Sequence, residues 1–283
     1  MNPIGIMQGR LSPPVSYRLQ AFPWTAWQQE FINARACQID LIEWLFEADR
    51  YEQNPIWQKE GIQAIREQIA KTGTQVMSCC ADYFMPHPFF RVTKDERQES
   101  IRVLNQLIQN TARVGIRTIL VPVLEVSEIR TPEEKEQLLD ALQEPLTMAA
   151  QEGISLGLET ELSASEYLSL VEDGESASLG IYYDTGNHAA LGHDIAEDVK
   201  ILAPRLVGIH VKDRKRGGST VLLGEGSANF DDFFKVVTAT GYQNPVILQT
   251  AFGPDYLGIA RRHRQFVSDR LESIDDPIKR GLS

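Results

Sequence analysis

The sequence predicts a single-domain α/β protein with the (β/α)8 TIM-barrel fold. Apolar segments alternate with helical segments eight times in 283 residues, about 35 residues per unit. The apolar segments are continuous rather than alternating, as is typical of parallel strands that are covered on both faces. A polar residue ends nearly every apolar segment. This placement favours a closed barrel, with its site at the carboxyl ends of the strands, over an open doubly wound sheet.

The eight predicted strands share one design, an apolar segment that delivers a polar side chain at or near its end. In order, they lie at residues 3–7, 39–46, 74–84, 117–125, 153–159, 178–184, 205–211 and 244–250. Because the strands of such a barrel are parallel, their final side chains are expected to meet at one mouth.

The helical segments carry recognisable start and stop signals. Ser163 followed by Glu166 is the pattern of a capping box, and Gly73 and Gly241 are placed to end helices. Six predicted helices lie at residues 24–38, 61–73, 94–115, 195–203, 230–241 and 256–271. Two more are predicted by their starts alone, one from residue 132 and one after residue 163. One domain is therefore expected over residues 1–283, with 272–283 as a loose C-terminal tail.

Composition limits the classes of function. The chain is 42% hydrophobic and 24% charged, as in an ordinary globular protein, and its net charge is -11. Such acidity argues against nonspecific binding to nucleic acid or to an anionic membrane. With no signal-peptide pattern and no apolar run of membrane-spanning length, we expect a cytoplasmic protein. The three cysteines, Cys37, Cys79 and Cys80, are interpreted as reduced core thiols.

Three residues at the ends of successive predicted strands can bind a metal. Glu159, Asp184 and His210 are separated by 25 and 26 residues, the length of a helix and a returning strand. Two carboxylates and one imidazole suit one divalent cation, Mn²⁺, Mg²⁺, Zn²⁺ or Co²⁺, with room left for a substrate. Each residue alone would more often be a hydrogen-bonded strand end, but their serial placement favours a cation site.

Other polar residues on the same predicted rim are candidates for substrate binding. Lys212 lies two residues beyond His210, so strand alternation points it to the same side. Arg214 follows in a glycine-rich loop of the kind that holds phosphate in such barrels, whereas Lys215 and Arg216 fit a solvated loop better. His188 either contacts substrate or is satisfied by the backbone. The remaining candidates end strands on this rim and could bind substrate hydroxyls: Glu43, Asp82 and Glu125.

Four motifs, YYDTGNHAALGHD, VGIHVKDRKRGG, LLGEGSANFDDFF and GYQNPVILQT, resemble the sugar-phosphate isomerase/epimerase branch of the xylose isomerase-like TIM barrels. The sequences of these motifs are similar to those of L-ribulose-5-phosphate 3-epimerase and hexulose-phosphate isomerase-like proteins. The resemblance implies one divalent cation held by Glu, Asp, His and a second Glu, with both Glu side chains moving protons. Carried over by position, the ligands are Glu159, Asp184, His210 and Gln249.

Gln249 departs from that pattern. Its carbonyl oxygen can coordinate a cation, but an amide cannot take up or release a proton as a carboxylate does. The expected function is a metal-dependent isomerase or epimerase of a small ketose or ketose phosphate, through an enediolate, with Glu159 as base. Return of the proton from one face gives aldose–ketose interconversion, whereas inversion needs an acid that Gln249 cannot supply.

Two alternatives remain open from the sequence. A keto-polyol dehydratase or lyase would begin with the same proton abstraction. A catalytically silent barrel that binds a sugar or phosphate would explain the glutamine at position 249. The partner in each case is a small sugar or sugar phosphate. The sequence leaves the oligomeric state open, and a homo-oligomer is compatible with it.

Overall fold

The computed structural model describes residues 2–15, 18, 20–251 and 253–275. Within them, eight parallel strands form a closed barrel. The strands are β1 (Ile4–Met7), β2 (Leu41–Leu45), β3 (Gln75–Cys80), β4 (Thr118–Pro122), β5 (Ser155–Glu159), β6 (Leu179–Asp184), β7 (Leu206–Val211) and β8 (Val246–Leu248). The predicted fold class is therefore confirmed.

Closure of the barrel occurs between the first and last strands. Gly5 of β1 lies opposite Leu41 of β2 on one side and Ile247 of β8 on the other. The remaining strands follow the order of the chain around the barrel, each parallel to its neighbours. Because all eight strands run in the same direction, the side chains at their carboxyl ends share one mouth.

Nine helices occur in the described part of the chain, most of them connecting successive strands. They are α1 (Trp27–Ala36), α2 (Lys59–Thr72), α3 (Lys94–Val114), α4 (Pro132–Glu152), α5 (Ala164–Asp173), α6 (Thr185–Leu191), α7 (Ile195–Leu202), α8 (Phe230–Ala239) and α9 (Tyr256–Asp275). The sequence did not predict α6, nor the small antiparallel hairpin of Asp213–Arg214 and Thr220–Val221 after β7.

The predicted helix signals are confirmed by local geometry. The carboxylate of Glu166 accepts hydrogen bonds from both the backbone N–H, at 3.2 Å, and the hydroxyl of Ser163 at the start of α5. Gly73 follows α2 with a φ of 78°, a left-handed conformation that glycine adopts without a steric penalty. Gly241 has a φ of 76° just beyond α8.

A glycine in β7 makes room for an aromatic ring inside the barrel. A Cβ atom at Gly208 would lie 2.3 Å from the ring of Tyr182, on the neighbouring strand β6. The ring is fully buried, and its hydroxyl donates to Oε1 of Glu43 at 2.5 Å. Tyr182 therefore spans the interior from β6 to β2, directly beneath the mouth.

The last helix continues beyond its predicted end. α9 reaches Asp275, so residues 272–275 are helical rather than a loose tail, and residues 276–283 lie outside the described part of the chain. Among the described residues, no helix is both long and apolar enough to cross a membrane. Cys37, Cys79 and Cys80 are buried and free, and burial raises the pKa of each thiol, as expected of unreactive core cysteines.

Candidate active site

The barrel brings the three predicted strand-end ligands together. Glu159 ends β5, Asp184 ends β6 and His210 lies one residue before the end of β7. One ligand atom from each side chain lies within 4.8 Å of the others, and all three residues are buried. The successive strands and their parallel register produce this cluster, because β6 aligns Asp184 with His210.

His210 is oriented by a carboxylate from the opposite side of the barrel. Its Nε2 lies 2.6 Å from Oε2 of Glu43, and both side chains are fully buried. Glu43 lies in the middle of β2 rather than at its end, so the expectation that it reaches the rim does not match its position. A carboxylate on one ring nitrogen is the usual support for a metal-binding histidine, because it directs the other nitrogen to the metal.

Asp184 serves two roles with its two oxygens. Its Oδ1 accepts the backbone N–H of Asn187 at 2.7 Å and so caps the start of α6. Its Oδ2 lies 3.4 Å from Nζ of Lys212 and 3.9 Å from Nδ1 of His210. Lys212 therefore faces the site, as strand alternation predicts.

Gln249 belongs to a chain of amide hydrogen bonds that the sequence did not predict. Its Nε2 donates to Oε1 of Gln20 at 3.1 Å, and Nε2 of Gln20 donates to Oδ2 of Asp82 at 2.5 Å. A carboxylate can only accept, so Asp82 fixes the orientation of Gln20, which in turn fixes that of Gln249. The result leaves Oε1 of Gln249 as a free acceptor. Gln20 lies in the loop after β1, where no local pattern marks it.

Three buried atoms of the predicted ligand set are unsatisfied. Asp184 Oδ2, His210 Nδ1 and Gln249 Oε1 have no hydrogen-bond partner among the described residues. Buried polar atoms without partners are rare in proteins and call for a specific explanation. One carboxylate oxygen, one amide oxygen and one imidazole nitrogen are suitable ligands for a divalent cation. The residues present therefore fit a cation, and Glu159 adds a second carboxylate.

Burial shifts the pKa values of the acidic and basic groups of the site. It raises the pKa of Glu159 to about 8, against the lowering effect of His210. It also raises the pKa of Asp82. For His210 burial acts to lower the pKa, but the adjacent carboxylate of Glu43 and the other acids of the site raise it overall. Each shift reflects charges that are held away from water and close to one another.

A cavity of about 390 Å³ opens above these residues. One wall is cationic, because Lys212 and Arg214 both line it, and Nη1 of Arg214 donates to Oδ1 of Asn187 at 3.0 Å. The complete lining is Gln20, Asp82, Met85, Pro122, Leu124, Glu125, Glu159, Asn187, Lys212, Arg214, Ser219, Thr220 and Gln249. Most of the predicted site residues thus share one cavity. Asn187, Ser219 and Thr220 are additions that depend on α6 and on the hairpin.

A family model described as Xylose isomerase-like TIM barrel matches residues 31–267. The chain belongs to this family. A curated relative, L-ribulose-5-phosphate 3-epimerase UlaE of Escherichia coli, is 25% identical over 231 residues, which cover 79% of this chain and 81% of the relative. The resemblance to sugar isomerases and epimerases that the motifs predict is therefore confirmed.

Solved structures agree with this assignment at the level of the fold. An L-ribulose 3-epimerase superposes with a TM-score of 0.80 at 19% identity, covering 100% of this chain and 99% of that one. The 3-keto-D-glucoside 4-epimerase YcjR of E. coli gives 0.74 at 16% identity, over 95% and 100% of the two chains. A xylose isomerase-like barrel of Mycobacterium smegmatis, in complex with magnesium, gives 0.71 at 17% identity, over 96% and 97%.

Two predicted substrate-binding residues of this xylose isomerase-like barrel, Glu43 and His188, do not line the cavity. His188 is fully buried on α6, with Nε2 3.1 Å from the carbonyl oxygen of Thr160 and Nδ1 3.3 Å from Oδ2 of Asp198. Its side chain points away from the mouth because Asp184 starts a helix, so that Asn187 faces the cavity and His188 faces outward. His188 therefore contacts the backbone, which is one of the two interpretations that the sequence allowed.

A second, larger cavity of about 640 Å³ lies at the opposite end of the barrel. It is lined by residues of the loops that precede β2 and β3, together with Arg264 of α9. None of the predicted site residues lines it. Chemistry in (β/α)8 enzymes occurs at the carboxyl ends of the strands, so the smaller cavity at the mouth is the relevant one.

Proposed function

We propose that this chain is a divalent-metal-dependent isomerase or epimerase of a small ketose or ketose phosphate. The observation that carries the proposal is the group of buried atoms without a hydrogen-bond partner, Asp184 Oδ2, His210 Nδ1 and Gln249 Oε1, beside a cavity that Gln249 and Glu159 line. A polar cavity of about 390 Å³ is large enough for a sugar with its bound water. Family membership supports the same class of chemistry.

Four side chains would hold the cation. Glu159, Asp184 and His210 supply two carboxylates and an imidazole, and Gln249 supplies an amide oxygen. Asp184 is fixed by its cap on α6, and His210 by Glu43. When bound, a divalent cation polarises the carbonyl and the adjacent hydroxyl of a ketose.

Glu159 is the proposed base. Its carboxylate removes a proton from the hydroxyl-bearing carbon next to the substrate carbonyl, which leaves an enediolate. The hydroxyl proton passes to the other enediolate oxygen, and the carboxyl group of Glu159 returns its proton to the former carbonyl carbon. Burial raises the pKa of Glu159 to about 8 in the metal-free protein, and a bound cation would lower it towards the ionised carboxylate that a base requires. Nδ2 of Asn187 donates to its Oε1 at 3.3 Å and orients the carboxyl group.

The number of bases separates isomerisation from epimerisation. Gln249 has no exchangeable carboxyl proton, so Glu159 acting alone favours aldose–ketose interconversion on one face of the substrate. Inversion of a carbon needs a second group on the opposite face. Asp82 and Glu125 line the same cavity. Asp82 accepts hydrogen bonds from Gln20 and Cys80, which leaves Glu125 as the available carboxyl group. Glu43 is engaged by His210 and Tyr182, which leaves it unsuited to that role.

The cationic wall favours a substrate that carries negative charge. Lys212 and Arg214 line the cavity beside the hydroxyl-bearing residues Ser219 and Thr220 of the hairpin. Ammonium, guanidinium and hydroxyl groups are common phosphate ligands in proteins. A ketose phosphate, with its phosphate against this wall and its carbonyl end toward Glu159, is therefore the preferred substrate class.

Proton exchange in deuterated water tests the mechanism. The protein with Mn²⁺ is incubated with a panel of ketoses and ketose phosphates, and the products are examined by NMR after the metal is removed. We expect deuterium at a carbon next to the carbonyl. Glu159→Gln should lower the exchange rate by about 10³-fold, because the base is lost while the shape is kept. Glu161→Gln, two residues further along and outside the cavity lining, is the matched control and should keep the rate.

Two outcomes would contradict the proposal. If no substrate of the panel exchanges a carbon-bound proton, the enediolate chemistry is refuted. Sugar binding measured by calorimetry on the same samples would then support the silent barrel. Elemental analysis provides the second test: the Asp184→Ala variant should retain less divalent cation than the unmodified protein, and equal metal content in both would contradict the assigned ligands.

A further inference from the structure

Two histidines and an aspartate form a second cluster, outside the cavity. His188 on α6, His193 in the following turn and Asp198 on α7 are spaced five residues apart. Nδ1 of each histidine lies 3.3 Å from Oδ2 of Asp198. Gly192 ends α6 with a φ of 92°, and this left-handed turn brings the backbone N–H of His193 within 3.1 Å of the His188 carbonyl. The turn is what directs both imidazoles to one point.

The hydrogen bonds of His188 define which of its nitrogens is free. Its Nε2 faces the carbonyl oxygen of Thr160, which can only accept, so Nε2 carries a proton. Its Nδ1 is buried and has no hydrogen-bond partner within the described ranges. In the neutral imidazole, that nitrogen presents a lone pair to the carboxylate of Asp198.

Oδ2 of Asp198 is the carboxylate oxygen that faces this nitrogen. The hydroxyl of Tyr183 donates to the same Oδ2 at 2.8 Å. Two imidazole nitrogens and a phenol hydroxyl therefore converge on one carboxylate oxygen. A cation between the two nitrogens and the oxygen could bind to all three atoms.

We propose that His188, His193 and Asp198 form a second divalent-cation site, of the zinc type. In a tetrahedral zinc site with bonds of about 2.0–2.1 Å, neighbouring ligand atoms are about 3.3 Å apart, and both N–O separations in the cluster are 3.3 Å. The third separation, between the two nitrogens, is within 4.8 Å. Two imidazoles and one carboxylate are typical zinc ligands.

The surroundings support each ligand and leave an entry route. The carbonyl of Thr160 holds His188, and the hydroxyl of Tyr183 holds Asp198, as outer partners commonly do around protein metal sites. The side chain of His193 is 25% exposed, so a cation can enter from solvent and keep a water as its fourth ligand.

Occupancy of this site would tie α6 to α7. Asp184 starts α6, and Asn187 on the same helix lines the active cavity. The second cation would therefore stabilise the wall of the active site without touching the substrate. This role goes beyond the proposed reaction and does not depend on it.

Zinc stoichiometry tests the proposal. Protein freed of metal with a chelator is dialysed against Zn²⁺, and bound zinc is counted in the unmodified chain and in Asp184→Asn, His193→Ala and the double variant. Asp184→Asn weakens the first site while it keeps an oxygen that can cap α6. We expect His193→Ala to lose one zinc per chain, both in the unmodified background and in the Asp184→Asn background. His87→Ala removes an exposed histidine at another place and is the matched control, with no loss expected.

Two further measurements keep the result interpretable. Thermal unfolding with and without Zn²⁺ should show a zinc-dependent rise in Tm for Asp184→Asn that is absent from the double variant. Co²⁺ bound to Asp184→Asn should give the intense visible absorption of a tetrahedral ion. Equal zinc content with and without His193, in proteins that unfold cooperatively in chelator, would overturn the proposal.

Discussion

Replacing Gln249 by glutamate should not simply restore a fourth acidic ligand. In the amide chain, Nε2 of Gln249 donates to Oε1 of Gln20 at 3.1 Å, and Gln20 donates to Asp82 at 2.5 Å. In Gln249→Glu, an acceptor oxygen replaces the donor that faces Gln20. Rotating the Gln20 amide would repair that contact, but it would place a carbonyl oxygen against the Asp82 carboxylate.

The structure allows the size of this conflict to be estimated. A buried acceptor left without a donor costs about 1–3 kcal/mol, and more when it is charged. We therefore expect Gln249→Glu to lower the free energy of unfolding by about 2–3 kcal/mol at neutral pH in the absence of divalent cations. Asp82→Asn supplies a donor that allows Gln20 to rotate. The two changes together should then recover about 2 kcal/mol relative to the sum of their separate effects.

Urea unfolding of the unmodified chain, the two single variants and the double variant measures this coupling. Gln265→Glu is the control, because Gln265 also donates to an aspartate, Asp269, but on the exposed surface of α9. It should cost less than about 0.5 kcal/mol. Additive effects of the changes at positions 249 and 82 would refute the deduced orientation of the amides. With Mn²⁺ present, the cost of Gln249→Glu should decrease, because the added negative charge binds the cation.

Two other predictions concern pH and the support of the metal site. Glu30 is fully buried, and burial raises its pKa from 4.5 to about 7, although it accepts hydrogen bonds from the N–H groups of Gly9 and Leu11. Between these two pH values, Glu30 is protonated in the folded state and ionised in the unfolded state. The contribution of Glu30 to the free energy of unfolding is therefore complete below pH 4.5 and is lost as the pH rises to about 7. The loss is about 3 kcal/mol. Chemical unfolding across this range should show that difference between the unmodified chain and Glu30→Gln, and parallel curves would contradict it. Glu43→Gln should weaken Mn²⁺ binding about 10–100-fold, because His210 loses its orienting carboxylate; unchanged affinity in a metal titration would exclude this role.

Local sequence patterns were sufficient for the fold and for most of the candidate metal ligands. Continuous apolar segments and helix signals such as Ser163 with Glu166 reflect interactions within a few residues, so they can be read from the chain alone. The convergence of Glu159, Asp184 and His210 followed from one further rule, that the carboxyl ends of parallel strands share a mouth. These features needed no knowledge of individual side-chain contacts.

The tertiary structure decided what each site residue touches. Glu43 and His210 are 167 residues apart in sequence, and Gln249 and Gln20 are 229 apart, so no local pattern could pair them. The sequence left two interpretations of His188 open, because the direction of its side chain depends on the helix α6, which the sequence did not predict. The sequence determined which chemical groups reach the mouth of the barrel, through strand periodicity. Only the folded chain determined which lone pairs remain free there, because hydrogen-bond partners are chosen by distance in space rather than along the chain.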